Sequence, residues 1–131
     1  MEEIKEKEQT FRFKVNSSGE RVTPAGFKFL DRAEEVIGIC VSSDRFDLAY
    51  FRGNFEKIDI DSKEWLKDYD ASMLIPNASV APDQKYKSVD AYQGVGGKAF
   101  DVVYQDNEHP QATFSPYTVR IHAKLRMRLR D

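Results

Sequence analysis

The stretch YTVRIHAKLRMRLR, residues 117–130, alternates without a break: every odd-numbered position is apolar and every even-numbered one polar. A helix would scatter those odd residues around its circumference. A strand places Tyr117, Val119, Ile121, Ala123, Leu125, Met127 and Leu129 on a single face. The segment is therefore read as a strand. At about 3.3 Å per residue it reaches roughly 45 Å, well beyond the usual strand of about six residues. A strand of that length must bend, pass between sheets or run past its own domain.

The opposite face of this strand is a basic stripe, Arg120, His122, Lys124, Arg126, Arg128 and Arg130. Same-face neighbours lie about 7 Å apart and repel by roughly 0.6 kcal/mol in water, several times more when desolvated. The stripe contrasts with the rest of the chain. Residues 117–131 hold five Lys or Arg and one acid, net +4, whereas residues 1–116 hold 15 bases and 21 acids, net −6. Three arrangements satisfy such an asymmetry. Acids on neighbouring strands, such as Glu56, Asp59 or Asp101, pair across it within the chain. Alternatively, the acidic body of a second subunit meets it, with Glu56, Asp59, Asp61, Glu64 and Asp101 as the complement. In the third, it binds nucleic-acid phosphates, although it lacks the interleaved aromatics of a stacking platform.

Other segments also read as strands. TFRFKV sets Phe11, Phe13 and Val15 on one side, and NSSGE closes it as a turn. EVIGICVS is an apolar, β-branched run of the kind buried on both faces, with Cys40 as a small buried hydrophobe. Residues 46–60 resemble a β-hairpin, FDLAYF and FEKIDI about a turn at RGN. KAFDVVY places Phe100, Val102 and Tyr104 together, and QDNEHPQ reads as a turn. TPAGFKFLDRAEEVIG has mixed signals, with Thr23 and Pro24 marking a helix start while Gly26 and the Phe27/Phe29 alternation favour extended chain; a short helix or irregular segment is expected. DSKEWLKDY is expected to add a helical turn capped by Ser62. Pro76 and Pro82 limit any strand in MLIPNASVAPDQKYKSV to short pieces.

The expected fold class is thus all-β, an antiparallel β-sandwich that is jelly-roll-like, with at most one or two short helices. Residues 10–131 form a single domain, and residues 1–9, MEEIKEKEQ, a flexible charged arm. No secretory leader or membrane-spanning run of about 20 apolar residues is read, so synthesis in a cytoplasm is expected.

Motifs for chemistry fail on their spacing. Gly94, Gly96 and Gly97 precede Lys98, but Ala99 stands where a phosphate loop needs Ser or Thr. In DIDSKEWLKDYD, Lys63 and Glu64 occupy positions where a calcium loop wants a ligand and a glycine. His109 and His122 have no partner at zinc-ligand spacing, and no serine sits in a nucleophile elbow. No catalytic residue, metal site or cofactor is expected, and the protein is read as a non-enzyme.

VIGICVSSD, AYFRGNFEKIDI, AFDVVYQDNEHP and FSPYTVRIHAKL follow one another across residues 35–125. In order and texture this series resembles the small jelly-roll virion proteins of icosahedral bacteriophages, vertex or minor coat subunits. The resemblance is one of pattern and carries over no individual residue. It implies a non-enzymatic building block, made in a bacterial cytoplasm and incorporated into a virion, which packs with copies of itself or a coat protein. A small nucleic-acid-binding β-module using the basic face, and a lectin-like carbohydrate binder using loop tyrosines, are the other readings.

Overall fold

The long terminal strand lies inside a sheet. The computed structural model describes residues 4–76, 86–89 and 94–128. β8 (Tyr117–Arg128) runs antiparallel between β1 (Ile4–Val15) and β3 (Ala33–Ser43), with Ile121 facing Phe11 on one side and Val41 on the other. The two-residue β6 (Lys87–Ser88) extends β3, giving the order β1-β8-β3-β6. A second sheet has the order β2-β7-β4-β5, from β2 (Arg21–Val22), β7 (Phe100–Asp106), β4 (Gly53–Ile60) and β5 (Lys63–Asp70).

The pairing is nested. The first strand pairs with the last, β2 with β7, β3 with β6, and β4 with β5, all antiparallel. A long hairpin rolled so that its halves alternate between two sheets produces this order, which is that of a jelly roll. The all-β expectation holds: the described residues contain one α-helix, α1 (Phe46–Arg52), and a single 3-10 turn at Ala71–Met73.

Alternation supplies the core. Tyr117, Val119, Ile121, Ala123, Leu125 and Met127 are all buried, and so are Phe11, Phe13 and Val15 opposite them. From the second sheet Phe55, Ile58, Ile60, Phe100, Val102 and Tyr104 close against them. Phe11 is 5.8 Å from Phe29 and 4.9 Å from Phe100, centroid to centroid, within the range for favourable ring pairs. Each buried Phe contributes about 1.5–3 kcal/mol over its exposed state. The interior is therefore filled by side chains.

Three expectations are corrected and a fourth is decided. Of the arm expected at 1–9, residues 4–9 belong to β1, which begins at Ile4, and residues 1–3 lie outside the described residues. An inner β8 needs a partner along its length, and Gln9 pins the edge by donating to the Lys28 carbonyl and accepting from the Leu30 N–H. Residues 24–32 form the irregular segment that was one of the two expected outcomes: Gly26 is left-handed at φ 81°, and Phe29 is buried in the core. Residues 46–52 are helix, not the first strand of a hairpin. Leu48, Ala49 and Arg52, spaced for one helical face, are buried, and Gly53 then fits where a Cβ would meet the Tyr104 hydroxyl and Ala71. Residues 63–70 are strand, not a helical turn. Asp61 and Ser62 both take positive φ, 53° and 63°, the conformation of a tight two-residue hairpin, and Leu66 and Tyr69 face Ile58 and Phe55 across it.

Candidate interaction surface

Because β8 is central, its basic stripe becomes the spine of an outer sheet face. Residues paired across β1 and β8 have the same orientation, so Glu6, Glu8, Thr10, Arg12 and Lys14 flank Arg126, Lys124, His122, Arg120 and Thr118. This flank could have been read from the sequence. EKEQTFRFK carries the same even-numbered polarity as the stripe, and an antiparallel register brings its acidic start onto the basic end of β8.

The two ends of this face differ. At one end Lys124 lies 3.4 Å from Glu6, and Arg126 contacts Glu35 of β3. His122 sits between, 3.0 Å from the Thr10 hydroxyl and 2.7 Å from that of Ser42, with Glu8 3.7 Å away. Tyr86 lies over Gly38, donates to Glu8 and packs against the Lys124 ammonium. A recess of about 340 Å³ between Tyr86, Pro76 and His122 reaches buried Cys40. At the other end Arg120 stands directly opposite Arg12, with Lys14 two residues on. None of these three cations has an ion pair within 4 Å among the described residues. Like charges directly opposite one another are unfavourable, by up to roughly 0.8 kcal/mol at about 5 Å in water. The nearest compensation is Asp44. A hydrogen bond from the Thr118 N–H, another from Ser43, and the charge of Arg120 hold its carboxyl below the usual range against the effect of burial.

The partners expected for the stripe are elsewhere. Glu56, Asp59, Asp61, Glu64 and Asp101 belong to the β4–β5 hairpin and β7, in the other sheet. Pairing within the chain is correct in kind for Lys124 and Arg126, but its carboxylates are Glu6 and Glu35. Glu56 is held by Arg21 at 2.9 Å. Asp59 faces Asp101 on one side and Glu64 on the other, so three carboxylates cross three strands in a row, on the face away from Ile58 and Ile60. Lys57 reaches Asp59 Oδ2 at 3.1 Å, and Asp59 Oδ1 is buried with no hydrogen-bond partner among the described residues. Asp61 occupies the adjoining turn. The Arg128 backbone closes β8, and Arg130 lies outside the described residues.

A second cluster was not legible in the sequence. Arg52, 3% exposed, meets Asp106 through two hydrogen bonds, Nε to Oδ1 at 3.1 Å and Nη2 to Oδ2 at 2.8 Å. It also donates to the Ala112 carbonyl and the Ser18 hydroxyl and lies over the Phe114 ring. Tyr117 donates to Asp106 at 2.6 Å and is 3.0 Å from the Tyr104 hydroxyl. Burial pushes the Asp106 carboxyl up, but Arg52, Tyr117 and the Gly19 N–H outweigh it and hold the carboxyl below its usual range. Burial pushes both tyrosine hydroxyls well above theirs. The cluster ties the turn after β1, α1, β7 and the 107–116 loop together. A recess of about 560 Å³ opens beside it, next to Phe51 and its ring neighbour His109.

Among the described residues no group of three or more His, Cys, Asp or Glu is placed to hold a metal ion, and no helix is long and apolar enough to cross a membrane. Comparison of the chain with protein-family models, with curated proteins and with solved structures gave no match.

Proposed function

We propose that this protein is a non-enzymatic structural subunit of the virion type, made in a bacterial cytoplasm, which packs with copies of itself or with a coat protein. The observation that carries the reading is the nested strand order around a core filled by aromatic rings. Jelly rolls serve in capsids, lectins and cupins. In this chain the interior is occupied by Phe11, Phe29, Phe100 and Tyr104, which leaves faces, edges and loops as the working surfaces. The support is an analogy of fold, joined to the charge segregation of those faces. A soluble subunit with such faces needs partners that complete them.

The test is sedimentation velocity and light scattering over a concentration series at low salt. The reading predicts discrete species larger than the 15.1 kDa chain, growing with concentration. A monomer at every concentration contradicts self-packing.

A further inference from the structure

The two outer faces of the sandwich carry matched rows of opposite charge. On the first sheet Arg12 and Arg120 oppose each other, with Lys14 beside them. On the second, Asp101, Asp59 and Glu64 stand in line across β7, β4 and β5. Asp44 lies near the bases, and Lys57 reaches Asp59 in the acidic row. The rows point away from the shared core in opposite directions, so they cannot meet within one chain.

We propose that the basic row of one copy docks on the acidic row of the next. The inference rests on the assembly reading and names the surfaces that perform it. The occupant follows from complementarity: three bases without an ion pair within 4 Å among the described residues lie on a chain of net charge −2, and the surface they match is on the same molecule. An interface between two different patches is heterologous, and it propagates head to tail until it closes as a ring or continues as a filament. A two-fold dimer is not its product. Complementary charge also steers encounter, so association is fastest at low salt.

The experiment uses the full chain and two double charge reversals, Arg12→Glu with Arg120→Glu and Glu64→Lys with Asp101→Lys. Thermal unfolding of each confirms a folded protein before association is measured. Each variant alone is expected to need at least a tenfold higher concentration than the wild type to associate. Mixed together, the native basic row of the second variant meets the native acidic row of the first, and the two reversed rows are again opposite in charge, so the mixture is expected to recover the association that neither variant shows alone. Wild-type association with both variants assembling equally well overturns the proposal while leaving the assembly reading intact. Loss in the basic variant alone also overturns it, because the acidic row is then not the partner. Single-stranded DNA binding that falls with salt and is lost in the basic variant, while its self-association persists, assigns the row to nucleic acid instead. A wild type that stays monomeric at every concentration removes self-packing and the inference together.

Discussion

The loop end of the sandwich and the outer face of its first sheet both gather arginines and carboxylates, and they hold them in opposite ways. At the loop end, Arg52 and Asp106 have side chains 3% and 0% exposed, and the carboxylate also accepts from Tyr117 and Gly19. On the sheet face, Lys124 and Glu6 remain 30% and 53% exposed at 3.4 Å. Water screens the second pair, whereas burial shields the first. A desolvated pair with its hydrogen bonds complete is part of the fold, and removing one partner strands a buried charge. An exposed pair is worth at most about 1 kcal/mol and exchanges partners readily. The same residue types thus anchor the structure in one region and keep a surface adaptable in the other.

Breaking the buried node has the largest expected effect. Asp106→Asn leaves the Arg52 charge uncompensated and is predicted to lose about 3–5 kcal/mol of stability, read as a lower urea midpoint with an unchanged slope. Its acid dependence sharpens the contrast. Asp106 has a folded-state pKa below its unfolded value of about 3.9. Its contribution is complete above that unfolded value and is lost as pH falls through the folded one. Wild-type stability should decline in that acid range more steeply than that of the Asn variant, and parallel declines would show that Asp106 does not carry the linkage.

Tyr117→Phe removes one hydrogen bond to the same carboxylate and leaves the pair in place. A loss of about 1.5–3 kcal/mol is expected for a bond to a charged group, and a change under 0.5 kcal/mol in chemical denaturation would contradict the network. On the sheet face, Glu35→Gln breaks the Arg126 contact and should cost no more than about 1 kcal/mol, with the difference from wild type vanishing in high salt. The double substitution Arg12→Glu, Arg120→Glu should change stability least, within about 0.5 kcal/mol. A large loss there would mean that those arginines support the fold.

How much of this was legible in the sequence depends on the range of the signal. Strict period-two alternation in β1, β7 and β8 fixed which residues face inward, because that pattern depends only on neighbours in the chain. The β4–β5 hairpin was half legible. FEKIDI alternates, but KEWLKDYD looked helical until Trp65, Leu66 and Tyr69 found the core, an override of local preference by packing. FDLAYFR failed in the other direction, since its apolar residues suit either period and burial of Leu48, Ala49 and Arg52 decided for helix. Arg52 and Asp106 stand 54 residues apart, and nothing local announces their meeting. Glu56, Asp59, Asp61, Glu64 and Asp101 were singled out by local charge alone, but the alignment of Asp59, Glu64 and Asp101 in the other sheet depended on which strands pair, which is a property of topology.

Sedimentation velocity of the Arg12→Glu, Arg120→Glu variant beside the wild type, at one low salt concentration, measures the link from charge rows to assembly directly. The wild type is predicted to form species larger than 15.1 kDa while the folded variant remains monomeric over the same concentrations. Equal association of the two proteins would contradict it.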